Sequence, residues 1–247
     1  CGVCDFKTSQ PVLHEPVAMQ TATDGGSAPP DKLEDDAFAK FDITFSKLGN
    51  ARFFGHLELA TIVQRAIKRA GLTVKYSQGF HPSMRLSFAN ALPVGMESEE
   101  EHMFVFLDKT LSSKAIMAGL DHQLPQGLGI IGCSRFVKSK MPQTVLDVYN
   151  IALPGQDVDS EKVEQFLARS SFVVEDLNKK GKIRKTDLRK AVEEILFIND
   201  QTMQMSLKLF ENRAIRPAQV LKFVFHLDDE KILAARIKKT KPRIIQC

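Results

Sequence analysis

Tyr76, Phe80, His81 and Arg85 stand close together in the stretch Tyr76-Ser77-Gln78-Gly79-Phe80-His81-Pro82-Ser83-Met84-Arg85. Two ring faces beside an imidazole, an amide and a guanidinium suit stacking on a nucleobase, or on another planar polar ligand, and hydrogen bonding to it. Gly79 and Pro82 punctuate the stretch as a loop with a defined bend. Upstream, Arg52 falls in a turn from which a guanidinium can reach an anion near the start of the next helix. The expected ligand-binding set is therefore Arg52, Tyr76, Gln78, His81 and Arg85. The competing reading makes Tyr76 and Phe80 core residues and the loop a plain connection. His81 is a candidate acid–base residue, as is His56, since histidine is the side chain most often used for proton transfer at neutral pH. No carboxylate neighbours His81 in sequence, however. The spacing from His56 to Ala60, Val63 and Ile67 turns His56 toward a buried helix face.

A second group of residues suits phosphate. Residues 179–190 hold seven basic residues and one acid. Lys182, Arg184, Lys185 and Arg189, with Arg216 further on, are the expected phosphate-binding set. Gly181 and the mixed spacing favour a loop or hairpin over a helix face. Arg236, Lys238, Lys239, Lys241 and Arg243 form another basic cluster, and a solvated surface accounts for such runs equally well. The acidic run at residues 97–101 reads as a solvated turn. Cys1 and Cys4 have the Cys-x-x-Cys spacing of two metal or cluster ligands. A closed site needs four ligands, so the pair is either half of a site completed upstream or two exposed thiols. The chain has no phosphate-binding P-loop, no Gly-x-Gly-x-x-Gly and no serine nucleophile elbow. It also lacks the Cys-x-x-x-Cys-x-x-Cys of radical SAM enzymes.

These side chains must be positioned by elements that the apolar pattern predicts. Phe41, Ile43 and Phe45 alternate with Asp42 and Thr44 as in a strand. Residues 57–70 repeat apolar positions at three- and four-residue steps, an amphipathic helix closed by Gly71. Strands are expected at residues 72–76, 85–91, 103–108 and 128–137, with a helix at 112–124. The second half repeats the order less clearly. Its expected strands are residues 145–153, 172–175, 203–210 and 233–238. Its helices are residues 160–168, capped by Ser160, and 216–225, with Pro217 in the first turn. Residues 188–197 fit either helix or strand. Residues 8–40 are rich in Ser, Thr, Pro, Gly and acid and read as a flexible linker.

The fold class expected is α+β: two tandem ferredoxin-like (split βαβ) sandwiches preceded by that linker. The boundaries are residues 1–40 for a cysteine-bearing end plus linker, 41–140 for the first sandwich, and 141–247 for a second, more basic one. Composition agrees, since 43% hydrophobic and 26% charged residues over 247 positions suit a soluble globular chain of one large or two ordinary domains. No apolar run of about 18 residues is present, so no membrane partner is expected. Residues 1–40 carry three Lys and seven Asp or Glu, which leaves the body more basic than the overall charge of +4. Four scattered cysteines do not make a secreted disulfide framework, so a cytoplasmic setting is expected. The start at Cys1 rather than Met reads as a fragment or a processed chain.

Several motifs resemble one family. They are Lys47-Leu48-Gly49, Arg52-Phe53 with His56-Leu57-Glu58-Leu59, Tyr76-Ser77-Gln78-Gly79-Phe80-His81-Pro82, Leu86-Ser87-Phe88 and Leu92-Pro93-Val94-Gly95. In the second half they are Lys180-Gly181-Lys182 with Asp187-Leu188-Arg189, and Arg216-Pro217. Together these resemble the radical SAM-linked protein family, a domain of unknown function found beside, or fused behind, a radical SAM enzyme. Cys1 to Phe6 is similar to the cysteine-bearing end of the radical SAM part in fused members. The resemblance implies a radical SAM partner in cis or in trans. S-adenosylmethionine and an iron–sulfur cluster would then belong to the parent protein, with no cofactor in this chain alone. Association of family members with RNA-processing neighbours implies RNA by analogy. The leading expectation is an RNA-binding substrate-recognition domain, not catalytic by itself. Its rivals are an RNA-cleaving or RNA-modifying enzyme using His81 or His56, and a purely structural docking domain. A pocket uniting His81 with Asp187 favours the enzyme, a continuous basic groove the binder, and a neutral apolar face docking.

Overall fold

The computed structural model describes residues 35–138, 144–155, 159–177, 181, 183–209 and 214–245. Cys1, Cys4, Lys182 and the expected linker up to residue 34 lie outside the described residues. In the first half the elements are β1 (Phe38–Lys47), α1 (His56–Arg69), β2 (Leu86–Phe88), β3 (Glu97–Asp108), α2 (Ser113–Asp121) and β4 (Leu128–Arg135). The second half runs β5 (Thr144–Ala152), α3 (Ser160–Leu167), β6 (Val173–Leu177), β7 (Ile183–Asp187), α4 (Leu188–Ala191) and β8 (Val192–Asn199). It continues through β9 (Thr202–Leu207), α5 (Pro217–Phe223), α6 (Asp229–Ala234), β10 (Arg236–Lys239) and β11 (Arg243–Ile245).

Apolar periodicity accounts for most of this. In β1, Phe41, Ile43 and Phe45 are buried and the residues between them are not. In α1 the buried face is Leu59, Val63, Ala66 and Ile67, and Gly71 ends the helix with φ of 65°, a conformation that suits glycine. These side chains pack with Met103, Val105 and Leu107 of β3 and with Ile116 and Leu120 of α2 into one core. A second core gathers Ile151, Phe166, Val192, Met203, Met205 and Leu221, among others, from the second half. Met96, which precedes β3, packs into this second core.

One nine-stranded sheet of order β4-β1-β3-β10-β5-β9-β8 runs through both halves, with β2 on β3 and β11 on β5. Within each half the strands follow fourth, first, third, second: β4-β1-β3-β2, then β10-β5-β9-β8, every pairing antiparallel. The fold is thus mixed α+β, but the halves share one sheet instead of forming two separate ones. The cause is the length of β3. Its 12 residues extend past the three-residue β2 and leave a strand edge bare. β10 fills that edge in parallel through Lys238↔Glu97 and Lys239↔Ser98, while pairing β5 on its other side.

Five local expectations change. Residues 97–101 are the start of β3 and not a solvated turn, and both Ser98 and Glu101 are buried there. Residues 72–76 form no strand; they make only the isolated bridges Val74↔Leu107 and Tyr76↔Met84. Residues 188–197 are both things in turn, one turn of α4 and then β8. The cap of α3 is Asp159, whose carboxylate accepts the Glu161 and Lys162 N–H groups, so Ser160 is the first helical residue. The strand expected at residues 233–238 starts only at Arg236, because Asp228 caps α6 just before it.

Candidate functional site

On the face of the first-half sheet turned away from α1 and α2, β3 carries Phe104 and Phe106, two residues apart and half-exposed. Strand alternation sends Met103, Val105 and Leu107 into the core and these two rings out. Cations lie over them. Lys40 Nζ is 4.3 Å from the Phe104 ring centre and 3.8 Å from that of Phe136, which meets Phe104 edge-on at 5.2 Å. Arg85 Cζ is 4.9 Å from the Phe106 ring centre, and Lys75 Nζ is 6.0 Å from it. Beside them His102 Nδ1 lies 2.8 Å from Asp42 Oδ1. The surface therefore joins apolar ring faces to positive charge across adjacent strands.

The loop at residues 76–85 rises from the edge of this face. Its base is closed by the Ser77 N–H donating to the Ser83 carbonyl at 2.7 Å, and by the Ser83 N–H donating to Ser77 Oγ at 2.9 Å. Gly79 takes φ of 130°, open to glycine and few others. Beyond it Phe80 is fully exposed, Tyr76 is 39% exposed, and Gln78 and His81 are exposed. Tyr76 and Phe80 are thus not core. Of the expected ligand-binding set, Tyr76, Gln78, His81 and Arg85 share this loop. Arg52 is elsewhere, 3.7 Å from Glu97 and stacked on Phe53. His56 is exposed and edge-on to Phe88 at 5.3 Å, contrary to the buried placement expected from its helical spacing. Among the described residues no carboxylate hydrogen-bonds His56 or His81.

The described part of the basic run forms the expected hairpin, β6 with β7, and there Lys185, Arg189 and Lys190 are engaged. Lys185 pairs with Glu175 at 3.0 Å. Arg189 donates to the Leu167 and Val192 carbonyls at 3.1 and 2.9 Å, which holds the hairpin to its neighbours. Arg184 Nε is buried without a hydrogen-bond acceptor. Asp187 serves structure and does not face His81. It accepts from Ser171 Oγ, the Phe172 N–H and the Arg189 N–H at 2.8, 2.9 and 3.1 Å. Burial would raise its pKa, but these donors and Lys190 outweigh it and hold the carboxyl below its ordinary range. Its stabilisation is therefore present above the unfolded pKa near 4 and is lost as pH falls through the folded value. Asp187→Ala is expected to lower unfolding free energy by about 1.5–3 kcal/mol at neutral pH. Urea melts at pH 7 and near pH 3 check this, and an equal deficit at both would refute an ionic origin.

A cavity of about 160 Å³ opens where the halves meet. Lys239 Nζ lies on its floor, 3.2 Å from Glu101 Oε1 and 3.1 Å from Asp147 Oδ1. The side chains of Lys239 and Glu101 are 9% and 5% exposed, that of Asp147 21%. Ser98 Oγ donates to Glu101 Oε1 at 2.9 Å. In a regular strand Ser98 and Glu101, three apart, would point to opposite faces. A β-bulge against Phe45 and Lys47 adds one residue and brings both to the same side. Burial and the negative charges of Asp147 and Glu101 push the Tyr149 hydroxyl well above its usual pKa, so it stays protonated and bonded to Asp147. Burial lowers the pKa of nearby Lys47, against the pull of Glu101 and Glu58, and its Nζ donates to the Phe54 carbonyl at 2.9 Å. Of the described phosphate-binding candidates Arg216 alone lines this cavity, and it is exposed. Sequence reasoning missed Asp147 and Tyr149, and it placed Glu101 in a solvated acidic turn and Lys239 in a basic cluster without joining them. The one available signal was a Tyr and several charges in otherwise apolar strand patterns.

No helix among the described residues is long and apolar enough to cross a membrane. No group of three or more potential metal ligands occurs among them either. Residues 40–217 match a family model described as an uncharacterized protein conserved in bacteria (DUF2344). No curated protein matches the chain. Among solved structures, the chain is similar to the crystal structure of an unknown protein from Galdieria sulphuraria at 15% identity and a TM-score of 0.24, covering 85% of this chain and 99% of that one. It is also similar to that of a proposed glycine cleavage system transcriptional repressor at 13% identity and a TM-score of 0.21, with the same coverage.

Proposed function

The chain belongs to the DUF2344 family of uncharacterized bacterial proteins, and we propose that it is a recognition module that holds single-stranded RNA against the open face of its first-half sheet. The observation that carries this reading is the pair Phe104 and Phe106 on one face of β3 with Lys40 and Arg85 over their rings. RNA-recognition sheets of four strands stack two or three bases on aromatic residues, and their signature places two aromatics two residues apart, the spacing of Phe104 and Phe106 on one face of β3. The exposed tip with Phe80 and His81 extends the same surface. The strand order fourth, first, third, second in each half supports two ferredoxin-like units joined through one sheet.

The motif resemblance described above supports a radical SAM enzyme as partner, in cis or in trans, in a cytoplasmic setting. S-adenosylmethionine and cluster chemistry would lie in that partner, with Cys1 and Cys4 at its end. The engaged charges of the β6–β7 hairpin favour stacking over a continuous phosphate groove as the main source of affinity.

Fluorescence anisotropy with a labelled single-stranded RNA tests the proposal. Binding is expected at micromolar protein. If Lys40 and Arg85 neutralise about two phosphates, log affinity falls against log salt with a slope near −1.4, at about 0.7 per phosphate. Absence of salt-dependent binding at micromolar protein would refute the RNA reading and leave protein docking as the role of this face.

A further inference from the structure

The cavity between the halves is separate from the stacking face and has its own chemistry. It is a built site, with buried ion-pairing groups on its floor and exposed residues at its mouth. Its floor carries two carboxylates against one ammonium, Glu101 and Asp147 against Lys239. Asp147 is the more accessible of the two. At the rim stands the Arg216 guanidinium, for which no carboxylate is within ion-pair distance among the described residues. A free anion entering would meet Asp147 and Glu101; a free cation would meet Arg216 and Lys239. A molecule that carries an ammonium and a carboxylate close together, as on one carbon, meets opposite charge for both. Leu92, Met96 and Ile215 supply an apolar wall for the rest of it. The volume is close to that of engineered cavities of about 150 Å³ that admit benzene, which limits the ligand to a small molecule.

We infer that this cavity binds a free α-amino acid with an aliphatic side chain, its ammonium toward Asp147 and its carboxylate on Arg216. The planar fork of Arg216 fits a carboxylate in two parallel bonds. The Lys239 ammonium pairs with both Glu101 and Asp147 and leaves the floor with one net negative charge for the ligand's ammonium. A peptide end offers one of the two charges and so matches half of the site.

The experiment is isothermal titration of the full chain with each of the standard amino acids. The tightest binder is then compared with its carboxamide and its N-acetyl derivative, on wild type and on Arg216→Met. Expected are a dissociation constant of about 1 mM or tighter for an aliphatic amino acid, and a loss of at least about tenfold for each derivative. Arg216→Met should weaken the amino acid by a similar factor and leave the carboxamide unchanged. Arg216 is exposed, so its replacement leaves the fold intact, which far-ultraviolet circular dichroism verifies. No binding by any amino acid at about 10 mM, equal binding of a derivative, or indifference to Arg216→Met would each overturn the assignment.

Discussion

Replacing Phe104 and Phe106 by leucine weakens single-stranded RNA binding by about 1–3 kcal/mol for each base that loses its ring, or roughly 5- to 150-fold per base. Leucine retains apolar bulk at the half-exposed positions and removes only the flat π-face, so the effect isolates stacking. Stability should change little, because Met103, Val105 and Leu107 on the opposite face of β3 hold the core. The salt slope should also stay near its wild-type value, since losing a ring releases no counterions. Anisotropy titrations at several salt concentrations, with a urea melt for each variant, read all three quantities. Unchanged affinity in the folded double variant would sink the stacking surface. A changed slope with unchanged intrinsic affinity would move the contact from the rings to Lys40 and Arg85.

Lys239→Met is expected to destabilise the protein by about 3–5 kcal/mol, as for other buried ion pairs that lose one partner. Methionine fits the space of the stem but leaves Glu101 and Asp147 facing each other without a cation. The pH dependence separates this cause from simple misfit. In the wild type, burial pulls the Lys239 pKa down, yet Glu101 and Asp147 outweigh it and hold the ammonium above its ordinary 10.5. Its contribution is therefore complete at neutral pH and is lost only as pH climbs through that raised value. In the variant the two buried carboxylates repel each other without a cation between them, and acid relieves that repulsion by protonating either one. The deficit in urea melts should thus shrink between pH 7 and about pH 5. A deficit independent of pH would mean that shape alone, and not charge, is at stake.

What could be read from the sequence depended on whether a residue's role is set by its neighbours in the chain. β1 and α1 were legible, since Phe41, Ile43, Phe45 and the Leu59–Ile67 stripe repeat with the period of the element they form. The acidic run failed for an identifiable reason. The bulge between Ser98 and Glu101 breaks the alternation that marks a strand, and four acids in five positions look like solvent-exposed surface. Phe104 and Phe106 were hidden because β3 is apolar on both faces there, so periodicity could not assign either ring to the outside. The loop at residues 76–85 was found because its rings, Gly79 and Pro82 lie together in the chain. The cavity was not, because Glu101, Asp147 and Lys239 come from three strands separated by well over a hundred residues end to end. The sequence likewise shows the charge of Lys185 but not that Glu175 across the hairpin already neutralises it.

The strand that joins the halves, β10, is made after β1 to β9. During synthesis the first half can complete its own four strands and core well before residue 236 leaves the ribosome. Until then the β3 edge at Glu97 and Ser98 and the facing edge of β5 both remain bare, and Glu101 lacks its Lys239 partner. A chain interrupted in this interval presents two unpaired strand edges, a template for pairing with another chain. Stop codons or frameshifts before Arg236 should therefore yield insoluble product where a cut after Lys239 need not.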